Sequence, residues 1–188
     1  MRNVVYMMSV SLDGFIEGPK RELDWQLIDH ELHRHFNELL AGSGAFLSGR
    51  VTYELMAGFW PTADADPSSS ETVVEFASIW RDTPKIVFSK TLDRAAWNST
   101  VVRDVVPEQI MELKERPGGD LFIAGADLAA AFMRHDLIDE HRLYVQPIVL
   151  GAGKPMFEPS SRTTSLRLAE TRRFGSGVVL LHYRRTES

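Results

Sequence analysis

The 188-residue sequence contains no cysteine. It therefore has no disulfide framework, no thiolate ligand for zinc or an iron–sulfur cluster, and no cysteine nucleophile. An excess of positive charge is also missing, because 21 Lys and Arg residues stand against 26 Asp and Glu residues and give a net charge of −5. Bulk nucleic-acid binding needs a basic face, so this composition argues against a nucleic-acid partner. A local basic pocket for one phosphate remains compatible with it.

Long apolar runs are absent too. A membrane-spanning helix needs about 18 or more consecutive apolar residues, so we predict no membrane association. The N-terminal apolar run Val4-Val5-Tyr6-Met7-Met8 is too short for a signal peptide and has no clean small-residue cleavage site, so we expect a cytoplasmic protein. Hydrophobic residues make up 44% and charged residues 25%, which is typical of a globular protein. The length fits one domain spanning residues 1–188.

Short apolar runs alternate with helical patterns along most of the chain. The pattern predicts buried strands over residues 3–10, 45–47, 86–88 and 121–123, with a first helix over 27–41. A further helix carries Val73 and Trp80, and Ser68 and Glu71 before it have the spacing of a capping box. Strands over 143–149, 166–174 and 178–183 follow, the last two joined by a tight turn. We predict an α/β fold with a central, mostly parallel sheet, helices on both faces and an antiparallel C-terminal hairpin.

Small residues, hydroxyl groups and two cations follow the predicted strands, where such sheets bind their ligands. Gly49 allows close approach of the backbone, and Thr52 lies near the start of a short helix whose free N–H groups can hold phosphate. Arg50 and Lys90 add positive charge, and Gly125 opens another helix. The pattern fits a dinucleotide site, but equally ordinary strand–helix turns with solvated cations. The glycine fingerprints of Rossmann and P-loop proteins are both absent from the sequence.

Four segments in this order carry a resemblance to a known family: Ser11-Leu12-Asp13-Gly14-Phe15-Ile16, Gly49-Arg50-Val51-Thr52-Tyr53-Glu54, Ile123-Ala124-Gly125-Ala126-Asp127-Leu128, and the run from Leu143 to Gly153. Nearly end to end, the sequence resembles the dihydrofolate-reductase-like family, in the branch that includes the reductase domain of riboflavin biosynthesis. The resemblance implies a three-layer dihydrofolate-reductase-like fold and NADPH as the hydride donor.

The resemblance also implies roles for individual residues. Arg50 would face the adenosine 2′-phosphate and Thr52, beside Gly49, the pyrophosphate, while Ser89 and Lys90 would lie beside the adenine ribose. Ser9 and Val10 would border the nicotinamide. Five further residues would hold the nicotinamide ribose and the pyrophosphate: Ala124, Gly125, Ala126, Asp127 and Leu128. The family typically has Gly-Gly, often with a cis peptide, where this chain has Ala124-Gly125.

Hydride transfer to an imine carbon usually needs a nearby proton donor. Asp29, at the edge of the apolar stripe of the first helix, is one candidate, but it is also placed as a first-turn charge that stabilises the helix. Asp13 could bind a substrate amine or hydroxyl or relay a proton, or it could be an Asp-Gly turn residue. Counting back from Gly49 by the family's usual spacing gives His33 instead of an acid.

Four aromatic residues near strand ends could stack on a flat substrate or simply pack in the core: Phe15, Trp25, Tyr53 and Trp60. No metal site is expected, since the histidines lack a ligand spacing.

We therefore expect an NADPH-dependent reductase of a small pyrimidine-like or pteridine-like heterocycle, or of a carbonyl or imine. It would be similar to the 5-amino-6-(5-phosphoribosylamino)uracil reductase of riboflavin biosynthesis. The alternative is a non-catalytic nucleotide- or ligand-binding relative that kept the fold. A homodimer is expected, because riboflavin-type relatives commonly pair through the sheet edge. The run Gln146-Pro147-Ile148 also carries a proline, which is typical of edge strands.

Overall fold

The computed structural model describes residues 1–160 and 163–186. Eight strands within these ranges form one sheet: β1 (Val4–Ser11), β3 (Ala45–Gly49), β4 (Lys85–Phe88), β5 (Ser99–Val102), β6 (Leu121–Ala124), β7 (Glu140–Gln146), β9 (Leu166–Arg173) and β10 (Val179–Arg185). Their order across the sheet is β5-β4-β3-β6-β1-β7-β10-β9. Two further short strands pair with each other, β2 (Phe15–Glu17) and β8 (Lys154–Pro155).

The helices are α1 (His30–Leu40), α2 (Arg50–Ala57), α3 (Glu71–Asp82), α4 (Pro107–Glu115) and α5 (Ala126–Met133), with a 3-10 helix over Trp60–Ala65. In the described ranges, none of them is long and apolar enough to cross a membrane. Strands β5, β4, β3, β6, β1 and β7 run parallel, whereas β10 is antiparallel to β7 and β9. The predicted mostly parallel sheet with a C-terminal hairpin is confirmed.

The central strand β1 separates two helix layers. Successive side chains of a strand point to opposite faces, and Val4 and Tyr6 pack in one core with residues of α4 and α5. Val5 points the other way, into a core that includes Leu40 of α1 and Phe76 of α3. All three β1 side chains are at most 1% exposed, so both faces of the sheet are covered at its centre.

Several element ends differ from the predictions. Helix α1 starts at His30 because the Asp29 side chain accepts a hydrogen bond from the Leu32 N–H at 2.9 Å and caps the helix. The predicted capping box at Ser68 is wrong, since the Ser70 hydroxyl caps α3 by accepting from the Val73 N–H. The Ser68 hydroxyl instead donates to Asp66.

The prediction that the strand containing Pro147 lies at an edge of the sheet is also wrong. Strand β7 ends at Gln146 instead of residue 149, and Pro147 follows it, since proline has no N–H to continue the ladder. Strand β7 lies between β1 and β10 in the interior of the sheet. The two edges are β5 and β9.

Candidate functional site

Two helices begin directly at the carboxyl rim of the parallel strands. Helix α2 follows β3 at Gly49, and α5 follows β6 at Gly125. Among the described residues, no side chain caps the start of either helix, whereas Asp29 and Ser70 cap α1 and α3. The first N–H groups of α2 and α5 therefore lack intrahelical partners, and in the described ranges the Gly125 N–H, which donates to Met8 Sδ at 3.4 Å, is the exception to their also lacking side-chain partners, so the others are available to an anion.

The starts of α2 and α5 touch each other at Gly125. Its φ of 94° lies in the left-handed region that favours glycine, and a Cβ added there would lie 2.8 Å from Thr52 Oγ1. The peptide between Ala124 and Gly125 is trans. Gly49 is different, because a Cβ added there would meet no described atom within 4 Å. Backbone N–H groups and open space beside Gly49 thus form a cradle of the kind that a pyrophosphate needs.

The two predicted cations lie at this rim in weak surface pairs. Arg50 Nε is 3.9 Å from Glu54 Oε1, and both side chains are about half exposed, at 48% and 52%. Lys90 Nζ is 2.9 Å from Asp104 Oδ1, again between exposed side chains. Such exposed pairs are typically worth less than about 1 kcal/mol, so both cations can change partner at little cost.

Ser89 is buried, and its hydroxyl oxygen accepts hydrogen bonds from the N–H groups of Thr91 at 3.2 Å and Leu92 at 2.9 Å. Arg103 fixes the same loop by donating to the carbonyl oxygens of Ser89 at 3.0 Å and Leu92 at 2.9 Å. The sequence pattern gives no sign of this role for Arg103. The loop beside the predicted adenine ribose position is therefore held by its own contacts.

A third cation lies at the start of α5. Lys154 Nζ, on β8, donates to Asp127 Oδ2 at 2.7 Å. The Asp127 carboxylate stabilises the start of α5, since a negative charge there interacts favourably with the helix dipole. The neighbouring side chains of Ala126 and Leu128 are buried in the core, so these two residues offer only backbone N–H groups.

At the end of β1, Val10 is buried in the core and Ser9 is half-buried. The fully buried Gln146 lies beside Ser9, with Nε2 donating to Ser9 Oγ at 3.5 Å. Its Oε1 accepts from the Leu27 N–H at 2.9 Å. Gln146 therefore ties the segment before α1 to the predicted nicotinamide position, a function with no sign in the sequence.

Asp13 joins two loops at the rim. Its carboxylate accepts from the Ser11 hydroxyl at 2.7 Å and from the N–H groups of Leu150 at 3.0 Å and Gly151 at 2.7 Å. The Ser11 hydroxyl and these backbone N–H groups hold the pKa of Asp13 below its ordinary value. A carboxylate stabilised in its ionised form is a poor proton donor. The contacts favour the structural role, and the catalytic role stays a prediction.

An apolar cavity of about 170 Å³ opens at the rim and extends between the sheet and α2 and α3. Its lining includes the strand-end and helix-start residues Thr52 and Ala124 from the predicted cofactor set, together with Ser48. Its walls come from the sheet (Met7, Phe46, Leu47, Lys85, Phe122 and Ile123) and from three helices (Leu40 of α1, Tyr53 and Met56 of α2, and Phe76 and Trp80 of α3).

Only part of the predicted substrate set meets at this cavity. Tyr53 lines it, with its hydroxyl donating to the Ala96 carbonyl oxygen at 3.0 Å. Trp60 packs against the same core, its ring 4.4 Å from that of Phe76. Phe15, on β2, and Trp25, whose Nε1 donates to the Glu22 carbonyl oxygen, are not among the described lining residues.

Neither helix residue discussed as a proton donor lines the described part of the cavity. Asp29 is occupied as the cap of α1. His33 is half-buried, with its ring edge-on to Trp60 at 5.9 Å and to Phe76 at 6.1 Å. Burial lowers the pKa of His33, so the neutral ring is favoured. The described residues also contain no cluster of His, Asp or Glu side chains arranged for a metal ion.

The family model of the RibD C-terminal domain matches residues 2–180. The chain belongs to the RibD C-terminal domain family. The uncharacterized protein YyaP of Bacillus subtilis (strain 168) is 34% identical over 183 residues, which cover 97% of this chain and 94% of YyaP. The resemblance inferred from the four sequence segments is thereby confirmed.

Solved structures show the same fold. A Shewanella sp. PV-4 protein assigned to riboflavin biosynthesis superposes with a TM-score of 0.76 at 23% identity, covering both chains completely. The diaminohydroxyphosphoribosylaminopyrimidine deaminase/5-amino-6-(5-phosphoribosylamino)uracil reductase of Thermotoga maritima gives 0.68 at 18% identity, over 98% of this chain and 57% of that protein. The three-layer dihydrofolate-reductase-like architecture is confirmed.

Proposed function

We propose that this protein is an NADPH-dependent reductase of a small heterocyclic, carbonyl or imine substrate. The observation that carries the proposal is the meeting of two uncapped helix starts, α2 and α5, where Gly125 lies against Thr52. Membership of the RibD C-terminal domain family supports it, as does the uracil reductase activity named for the Thermotoga protein of the same fold.

The residues of the rim fit this cofactor. Arg50 would hold the 2′-phosphate, and the N–H groups at Thr52 and at the start of α5 would hold the pyrophosphate. Lys154 would add positive charge at α5, and Ser9 would border the nicotinamide. A bound NADPH would supply the hydride.

A non-catalytic nucleotide-binding role is the second candidate. It is favoured by one observation: among the described residues lining the cavity there is no carboxylic acid. A reductase at this site would take its proton from water. Steady NADPH oxidation with a pteridine, pyrimidine or quinone-like acceptor would exclude the non-catalytic role.

The decisive experiment titrates the protein with NADPH and with NADH, in parallel with Arg50→Ala. Loss of one charged phosphate contact costs about 1.5–3 kcal/mol, which is about a ten- to hundredfold loss in affinity for NADPH. Affinity for NADH should stay unchanged. The matched control is Arg34→Ala, which removes a similar exposed pair with Glu38 (3.7 Å) on α1. If neither nucleotide binds the wild type at millimolar concentration, the proposal fails.

We also propose a homodimer that forms through the edge strand β9. Seven of its eight residues are exposed, including Leu168 at 49%, and an uncovered edge strand offers free N–H and C=O groups to another chain. Leu168→Glu should give monomers in sedimentation analysis, whereas Val74→Glu at an exposed position of α3 should not. A monomeric wild type at micromolar concentration would contradict the proposal.

A further inference from the structure

The apolar cavity has the size of one ring. Its volume is about 170 Å³, and a dry apolar cavity of roughly 150 Å³ in another protein holds benzene. The walls of this one include the side chains of Met7, Met56, Phe76 and Phe122. Because Thr52 and Ala124 are among its lining residues, a ring inside it would lie beside the predicted position of the pyrophosphate and the nicotinamide ribose.

The cavity offers no free positive charge. Lys85 is the one charged side chain among the described lining residues. Its ammonium group donates to the carbonyl oxygens of Trp80 and, at 2.7 Å, of Thr83, and it lies 4.3 Å from the centre of the Trp80 ring. These contacts hold the ammonium at the end of α3. A phosphate in the cavity would therefore meet no free cation there.

An apolar surface leads from solvent to the cavity along α2. Thr52, Leu55 and Met56 of α2 are spaced i, i+3 and i+4, which places them on one side of the helix, and Phe59 follows shortly after the helix ends at Ala57. Thr52 and Met56 line the cavity, whereas Leu55 and Phe59 are 56% and 55% exposed.

Aromatic rings continue this surface inward. The ring of Phe59 lies edge-on to Trp60 at 4.9 Å, and Trp60 lies edge-on to Phe76 in the cavity wall at 4.4 Å. Edge-on and stacked contacts with a planar ligand are favourable for such rings. The exposure of the large apolar side chains of Leu55 and Phe59 beside the cavity is explained if a bound ligand covers them.

We infer that the substrate places a neutral, planar, apolar ring without a phosphate group in this cavity, in contrast to the polar phosphoribosyl pyrimidine of the riboflavin pathway. The inference rests on the proposed function and narrows its substrate to aromatic or conjugated carbonyl compounds. In the reduction, the carbonyl group would extend from the cavity toward the nicotinamide bordered by Ser9, and its carbon would gain the hydride supplied by NADPH, which would thereby be oxidised to NADP⁺. The C=O π pair moves to oxygen, which takes up a proton from water, so the product is an alcohol.

The test is a direct binding titration followed by tryptophan fluorescence, since Trp80 lines the cavity. It compares acetophenone with 4-acetylphenyl phosphate, two ketones that differ by the phosphate, and with 5-amino-6-(5-phosphoribosylamino)uracil. We expect saturable quenching by acetophenone and at least tenfold weaker binding of both phosphorylated compounds. Equal or tighter binding of either phosphorylated compound, or no binding of acetophenone, would overturn the inference.

Variants at the exposed surface locate the binding. The double substitution Leu55→Ser and Phe59→Ser changes exposed side chains, so the fold should survive, and acetophenone should bind at least fivefold more weakly. Val74→Ser, at a residue of α3 that is 42% exposed, is the matched control and should not change binding. Unchanged binding in the double variant would also contradict the inference.

The titration needs no nucleotide, so it separates the two proposals. Acetophenone binding without NADPH binding would support the cavity assignment and remove the proposed function. NADPH binding without acetophenone binding would leave the proposed function and remove the substrate inference.

Discussion

Replacing Gly49 by alanine tests whether this glycine is needed for the approach of a ligand instead of for folding. Gly49 has an ordinary φ of −77°, and an added Cβ would meet no described atom within 4 Å. The substitution lowers the entropy of the unfolded chain, which favours folding by about 0.4–1 kcal/mol. Alanine is also a poorer residue than glycine at a helix start, at a cost of about the same size. The free energy of unfolding should therefore change by less than about 1 kcal/mol.

If the nucleotide binds as proposed, the same methyl group would lie in its path at the start of α2. Loss of one charge-assisted hydrogen bond from the phosphate to the backbone costs about 1.5–3 kcal/mol. The Kd for NADPH, measured by isothermal titration calorimetry, should therefore rise about ten- to hundredfold, while the urea unfolding curve stays near that of the wild type.

Gly125→Ala is the informative comparison. At a φ of 94° an L-residue is strained by about 1–2 kcal/mol, and the new Cβ would lie 2.8 Å from Thr52 Oγ1. Gly125→Ala should lose both stability and affinity, and adding Thr52→Ala should recover only the steric part. If Gly49→Ala binds NADPH as the wild type does, the backbone at the start of α2 does not approach the cofactor, and the assignment of this rim is refuted.

Three further predictions concern charged or titratable groups. Lys154→Met should weaken NADPH binding and Asp127→Asn should tighten it, each by about two- to fivefold in calorimetry, since the pair is partly exposed; equal changes in the same direction would argue against phosphate contact. Burial lowers the pKa of His141 to about 4, so the folded state binds fewer protons than the unfolded state between pH 4 and 6.5. Stability should fall by about 3 kcal/mol as the pH drops through that window, and urea unfolding of His141→Phe should lack this contribution. Asp13→Asn should lower the Tm without changing the Kd for NADPH or kcat, because its contacts join loops; a tenfold loss of kcat with a wild-type Tm would restore Asp13 as a proton donor.

The rim could be predicted from the sequence, because the carboxyl ends of parallel strands share one edge wherever the strands begin. Strands with strong apolar patterns precede Gly49, Thr52 and Gly125. Once the order of the strands in the sheet is known, these residues are therefore expected to lie close together. Lys154 could not be found this way. It lies on a two-residue strand without periodicity, and its partner Asp127 is 27 residues earlier in the chain.

The role of Asp13 was open for the same reason. Its partners Leu150 and Gly151 are 137 and 138 residues away, and an Asp-Gly pair on its own predicts only a turn. Pro147 shows the converse error, since proline next to an apolar run suggested an edge strand where the strand had already ended at Gln146. Contacts between residues far apart in the sequence determined the role of Asp13 and the place of the strand before Pro147. A local sequence pattern does not show such contacts.

If the proposed function holds, the division of the site between backbone and side chains means that family membership constrains the cofactor more than the substrate. The proposed phosphate contacts are N–H groups at the starts of α2 and α5, which every residue except proline supplies. Substitution disturbs them only at positions such as Gly49, where a Cβ would approach the proposed ligand, and Gly125, where a Cβ would lie 2.8 Å from Thr52 Oγ1. The cavity, in contrast, is built from side chains such as Met56, Phe76 and Trp80, and exchange of any of them alters its shape without affecting the rim. Relatives of this fold can therefore retain the nucleotide site while their substrates diverge, so the substrate of this chain has to be inferred from its own cavity.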